Sequence, residues 1–124
     1  MPSKCPSEHQ EQVRFVAYFR KTFPGVLIYA IPNGSSRGSN KRAAMIRGAQ
    51  LKAEGVTRGV PDLHVPEWGL WIEFKRVKEA NPRLSKEQKV VIVYLEEICN
   101  QPTLVAFGFE HGRIVLNEWL ESRK

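Results

Sequence analysis

Two carboxylates and a lysine written into one short hairpin constrain this chain more than any other feature. Residues 55–75 read G-V-T-R-G-V-P-D-L-H-V-P-E-W-G-L-W-I-E-F-K. Two glycines and a proline punctuate the opening turn. An apolar run follows (Leu63, Val65), then a tight turn at Glu67–Gly69, then a second apolar run interrupted by Glu73 and Lys75. This spacing predicts a β-hairpin. Side chains two apart on a strand share a face, so Glu73 and Lys75 lie together. A turn centred near Trp68 brings Asp62 opposite residues 73 to 75.

Charges on a half-buried strand cost free energy unless they are paired or bound to an ion. Hard carboxylate oxygens on a rigid frame suit Mg²⁺, which takes one or two carboxylates and keeps several waters. The plainer alternative is a salt bridge from Lys75 to Glu73 or Asp62 on a solvated sheet face. An E-x-K triplet alone is common and decides nothing. The preceding P-D, the turn and the flanking apolar strands favour a site.

At 124 residues, with 42% apolar content, three Trp and six Phe, the chain is expected to form one domain (1–124) around a single core. Residues 1–6 read as a loose arm. No apolar run approaches a membrane span and no signal-peptide core opens the chain, so no membrane partner is expected. Cys5 and Cys99 lie far apart without C-x-x-C spacing, which makes a cytoplasmic location the default, in a bacterial or phage-infected cell. Nineteen Lys and Arg against thirteen Asp and Glu give +6, an excess that points towards nucleic acid. Solubility alone also accommodates such a charge.

Ser7 and Gln10 form a capping-box pattern ahead of an amphipathic helix over residues 8–22. Pro24 and Gly25 end it. Residues 26–31 (V-L-I-Y-A-I) predict a continuous strand buried on both faces. Residues 32–39 form the clearest loop, holding Asn33 and Arg37, and a second helix over 40–54 carries Lys41, Arg42 and Arg47 before Gly55 closes it. Basic residues beside a Gly/Ser loop suit phosphate contact, although a solvated helix face accounts for each of them equally well. After the charged loop 76–83, Ser85 and Gln88 make a second capping box for a third helix. Residues 103–109 read as a strand, Gly112 as a turn, and 114–121 as a short strand or helix. The order predicts an α/β domain with a mixed central sheet flanked by helices.

Several pieces, taken together and in order, carry a resemblance. P-D at 61–62 followed by E-F-K at 73–75 resembles the PD-(D/E)XK nuclease superfamily. S-E-H-Q-E-Q near the start, I-P-N-G after the first strand, A-E-G-V-T-R-G-V-P-D-L, W-I-E-F-K and R-L-S-K-E-Q resemble, more narrowly, the virus-type replication–repair nuclease (VRR-NUC) domain over about residues 7–110.

The resemblance implies a restriction-endonuclease-like core and Mg²⁺- or Mn²⁺-dependent hydrolysis of DNA phosphodiesters. It implies Asp62 and Glu73 as metal ligands, with the Phe74 backbone carbonyl as a further one, and Lys75 as the group that orients the attacking water and the phosphate. Glu8 and Gln12 match a glutamate and glutamine that the family places on its first helix, with Glu11 as competitor for the ligand role. Gln88 matches a glutamine kept close to the site, a role compatible with its capping box. Asn33, Arg37, Lys41, Arg42 and Arg47 are the expected DNA contacts. Stand-alone members of the family are homodimers that cut four-way junctions, which makes branched DNA the expected substrate and a homodimer the expected active species. The apolar residues Ile114, Val115, Leu116, Trp119 and Leu120 then become a candidate interface, unless they simply cover the sheet. His64, two residues after Asp62, could share its face and touch a phosphate, although a lone strand histidine is more often structural. A flap-type, sequence-nonspecific or restriction-type nuclease of the same fold, a non-catalytic DNA-binding module and a basic structural protein are the alternatives.

Overall fold

The computed structural model describes residues 7–32, 41–76 and 83–124. The expected arm 1–6 and the DNA-contact candidates Asn33 and Arg37 lie outside the described residues. Helix α1 spans Glu8–Thr22 and begins where the sequence placed it. The Ser7 hydroxyl accepts from the Gln10 N–H at 3.1 Å, and the Gln10 side chain accepts from the Ser7 N–H at 2.9 Å. This reciprocal pair satisfies two N–H groups that a helix start otherwise leaves open.

Four strands make one sheet in the order β1 (Tyr29–Ala30), β2 (Leu63–Val65), β3 (Leu70–Lys75), β4 (Thr103–Phe107). The first three run antiparallel and β4 lies parallel to β3, so the sheet is mixed as expected. The hairpin tip is a 3-10 turn over Pro66–Trp68, closed by Gly69 at φ 59°, a left-handed conformation that glycine adopts without steric penalty.

The two-residue length of β1 corrects the six-residue strand expected over 26–31. Tyr29 pairs with His64 and Ala30 with Leu63. β2 is itself only three residues long, so this edge strand has little ladder to join. Ile28 is buried, whereas Leu27 and Tyr29 are exposed, and the run is not covered on both faces.

Alternation along the strands sorts the sheet into two faces. Leu63, Val65, Leu70, Ile72, Phe74 and Ala106 point into the core, where they meet Phe15 and Phe19 of α1 and Leu116 of α4 (Phe109–Ser122). Each such fully buried side chain contributes about 1.5–3 kcal/mol. The opposite face carries His64, Trp71, Glu73 and Lys75.

Helix α4 departs from expectation in two ways. The strand β4 stops at Phe107 rather than 109, and residue 112 is no turn but lies inside the helix. Gly112 is there because α4 crosses close to its neighbours. A Cβ at this position would stand 3.1 Å from the Ala106 Cβ and 3.2 Å from Phe15 Cδ2. Of the C-terminal apolar residues, three serve the core, while Ile114 is exposed. Leu116 is fully buried, and Trp119 and Leu120 pack against the cluster.

Helix α2 (Lys41–Ala53) ends in a Schellman arrangement, with Gly55 N–H donating to the Lys52 carbonyl at 3.1 Å and Val56 N–H to the Leu51 carbonyl at 2.9 Å. None of its residues is buried. Helix α3 (Lys86–Glu97) starts with the expected second capping box, Ser85 with Gln88. Among the described residues no helix is long and apolar enough to cross a membrane.

Candidate active site

The hairpin register brings the sequence-predicted site residues together. Leu63 faces Ile72, so Asp62, the residue before β2, stands across from Glu73. Where the β2 ladder stops, the Asp62 side chain takes over. Its Oδ2 accepts from the Phe74 backbone N–H at 2.8 Å, while its own carbonyl accepts from the Ile31 N–H at 2.8 Å. The aspartate is thus held by backbone on both sides. Phe74 itself buries its ring in the core against Phe15, and its N–H is the group that meets Asp62.

Glu73 is 3% exposed. Its Oε2 accepts from the Gln88 side-chain amide and lies 3.6 Å from Lys75 Nζ, while Oε1 is buried and meets no N–H or hydroxyl donor among the described residues. Gln88 completes the arrangement: its side-chain oxygen accepts from Lys75 Nζ at 2.9 Å and from the Ser85 N–H at 2.8 Å. The glutamine therefore caps α3 and bridges the glutamate to the lysine with the same side chain. The two roles expected of it hold together.

Burial pushes the Glu73 carboxyl up to about 8, with the charge of Asp62 and a hydrogen bond to it adding to the rise, Lys75 opposing it and Glu8 raising it further. Two carboxyl groups this close repel when both ionise, and a proton or a cation between them relieves the repulsion. The influence of Glu8 on Glu73 also bears on the helix residue of the site. Glu8 lies within electrostatic reach, whereas Glu11, its competitor, is buried in an ion pair with Arg14 at 3.2 Å.

A divalent cation fits this donor set. Glu73 Oε1, buried with no donor among the described residues, and the crowded Asp62 carboxyl are hard oxygens, and two carboxylates with water suffice for Mg²⁺. Among the described residues no group of three or more His, Cys, Asp or Glu is gathered as a fuller cage.

His64 shares the sheet face of Glu73 but is engaged elsewhere. Its Nδ1 is 2.6 Å from the Tyr29 hydroxyl, and its ring stacks on Trp71 with centroids 3.9 Å apart. Trp71 in turn donates its indole N–H to Gln101 at 2.8 Å. Burial lowers the His64 pKa, and the ring works as a structural brace between β1, β2 and β3. Of the cationic candidates, Lys41 and Arg42 are exposed at the start of α2, and Arg47 reaches Glu54 at 3.8 Å across the same helix.

Sequence reasoning read Gly59 as a turn residue and missed what it packs against. With φ at +91°, it brings the loop before Asp62 against the first turn of α3, and a Cβ there would lie 2.5 Å from the backbone carbon of Glu87 and 2.8 Å from Gln88 N. The G-V-P-D spelling signals a turn, and only the tertiary contact shows what the turn rests on.

No family model matches the sequence, and no curated protein matches it either. A solved structure described as a VRR_NUC domain protein is similar at 22% identity, over 96% of this chain and 92% of that one, with a TM-score of 0.68. The chain has the VRR-NUC fold. At this identity the likeness concerns the fold, and the α/β restriction-endonuclease-like architecture expected from the sequence is the one found. Within the VRR-NUC fold of this chain, Asp62, Glu73, Lys75 and Gln88 converge on one spot, with Glu8 in electrostatic range.

Proposed function

We propose that this chain is a Mg²⁺- or Mn²⁺-dependent DNA endonuclease that hydrolyses phosphodiester bonds, acting as a homodimer on four-way or related branched DNA. The observation that carries the reading is the buried Glu73 carboxyl, crowded by Asp62, short of a partner on Oε1 and tied through Gln88 to Lys75. Asp62 and Glu73 would hold the cation, with the charge of Glu8 on α1 felt at the site. When bound, such an ion lowers the pKa of water and polarises a phosphoryl oxygen.

The chain's own groups do the rest. Asp62 is held in the site by the Phe74 N–H, which opposes its swinging away. Lys75, held by Gln88, places a positive charge where the transition state gathers negative charge. Its ammonium is directional enough to orient a water for attack as well. Lys41 and Arg42, on the exposed start of α2, would meet the phosphate backbone without reading bases.

The dimer follows from the chemistry of branched DNA. One chain supplies one carboxylate pair, whereas resolving a junction takes two symmetric cuts, and a two-fold dimer supplies both. The test is incubation of the purified protein with four-way, flap, fork and linear duplex DNA in Mg²⁺, Mn²⁺ or EDTA. Cleavage that needs the metal and prefers the junction is expected. An absence of cleavage on every substrate with either metal would overturn the nuclease reading, and equal cutting of all four would overturn the junction preference.

A further inference from the structure

Helix α3 carries an apolar stripe that the rest of the described residues leave exposed. Val90, Val93, Tyr94 and Ile98 are 64%, 56%, 56% and 70% exposed. Their spacing at i, i+3, i+4 and i+8 sets all four on one side of the helix. The opposite side is the one that packs, with Leu95 buried and Gln88 reaching into the site. Four large apolar side chains in a row on one helix are the pattern of a helix that meets another helix.

We propose that this stripe is where two copies of the chain pair, with the two α3 helices crossing antiparallel about a two-fold axis. The inference rests on the dimeric part of the function proposed above and assigns it a surface. Charge at the two ends of the stripe identifies the occupant. Lys86 stands at the N-terminal end and Glu97 at the C-terminal end, both exposed and both on the same side as Val90 and Val93. An antiparallel crossing sets Lys86 of each copy against Glu97 of the other, with Val90 and Val93 between them. The stripe is thus complementary to itself in the antiparallel orientation, as a two-fold contact between identical surfaces requires.

Other surfaces fit a second copy less well. The C-terminal residues expected from the sequence to pair are largely taken up by the core, with Leu116 fully buried. Met45 and Ile46 of α2 are exposed but sit among Lys41, Arg42 and Arg47, where a second copy would bring like charges together. Because Gln88 is on the same helix as the stripe, pairing through α3 would also set the two sites on either side of the two-fold axis.

Sedimentation velocity on the full chain tests the proposal, using the wild type, Val93→Glu, Lys86→Glu, Glu97→Lys and the double charge swap. All three positions are exposed, so far-UV circular dichroism should be unchanged in every variant. The wild type is expected to be dimeric, Val93→Glu to weaken association by at least about tenfold, each single reversal to weaken it, and the double swap to restore it. A dimeric wild type indifferent to Val93→Glu and to both single reversals overturns the α3 surface while leaving the dimer standing. A double swap as weak as the single reversals overturns the antiparallel crossing. A wild type that stays monomeric at high micromolar concentration overturns both the surface and the dimer, and leaves the metal-dependent nuclease reading to its own assay.

Discussion

The Asp62 carboxylate accepts a hydrogen bond from the backbone N–H of Phe74 at 2.8 Å. A side chain here takes the place of a strand, continuing the β2 side of the hairpin one step beyond its last paired residue. That single bond ties the orientation of a candidate metal ligand to the pairing of the sheet, and the behaviour of neighbouring residues follows from it.

Lys75→Ala is expected to lower kcat for DNA cleavage by at least about 10²-fold, the scale on which removal of a stabiliser of transition-state charge is felt. Lys75 lies at the end of β3 and is no part of the apolar core, so the melting temperature should move little. Gel-based cleavage alongside calorimetric melting checks both halves. A near-native rate would remove Lys75 from the chemistry.

Ser85 and Gln88 separate capping from catalysis. Ser85→Ala removes the hydroxyl that accepts from the Gln88 N–H at 3.1 Å, and should cost about 1 kcal/mol of stability with cleavage largely retained. Gln88→Ala removes the other half of the same cap together with the bridge between Glu73 and Lys75. It should lose a similar amount of stability and, in addition, most of the activity. Equal activity in the two variants, measured by denaturant titration and single-turnover cleavage, would reduce Gln88 to a cap.

The Glu73 carboxyl, raised from 4.5 to about 8, gives the metal-free protein a pH-dependent stability. Between those values the folded chain keeps a proton that the unfolded chain has released. This contribution is therefore fully present below pH 4.5 and declines as pH rises towards 8, with an upper slope of about 1.4 kcal/mol per pH unit. Urea titrations in EDTA across this window should show the decline, and Glu73→Gln should flatten it. Adding Mn²⁺ near neutral pH should displace the proton, seen as a calorimetric heat that changes with the ionisation enthalpy of the buffer. Binding without proton release would place the ion elsewhere.

Replacing Lys41 and Arg42 together by Ala should weaken DNA binding to the same degree on unrelated sequences. The salt dependence should flatten by roughly one unit of slope for each phosphate that the variant no longer neutralises. Fluorescence anisotropy at several salt concentrations measures both effects. An unchanged slope would move the DNA elsewhere on the protein.

What was legible in the sequence was local. Both capping boxes, the end of α2 at Gly55 and the hairpin around Trp68 are written within a few residues of where they act, and each formed as its spelling indicated. The placing of Asp62 opposite residues 73 to 75 was also within reach through the one turn between them, and the register of the two strands selects Glu73. Gly112 and Gly59 were misread or missed for a common reason. Each glycine answers to a neighbour distant in sequence, Phe15 and Ala106 for one and Glu87 for the other, and glycine carries no side-chain pattern to announce that neighbour. The segment over 26–31 failed differently. Its composition suits a buried strand, but strand length is granted by the partner, and β2 is short. That Glu11 pairs with Arg14 while the charge of Glu8 bears on Glu73 could be read only in three dimensions.

The hydrogen on the Phe74 nitrogen belongs to the sheet and to the site at once. Any fluctuation that hands it to solvent also lets the Asp62 carboxylate turn away, so one backbone amide keeps time for the whole site. The exchange rate of that amide, followed as one resonance, would report how long the site stays assembled before DNA or metal is added.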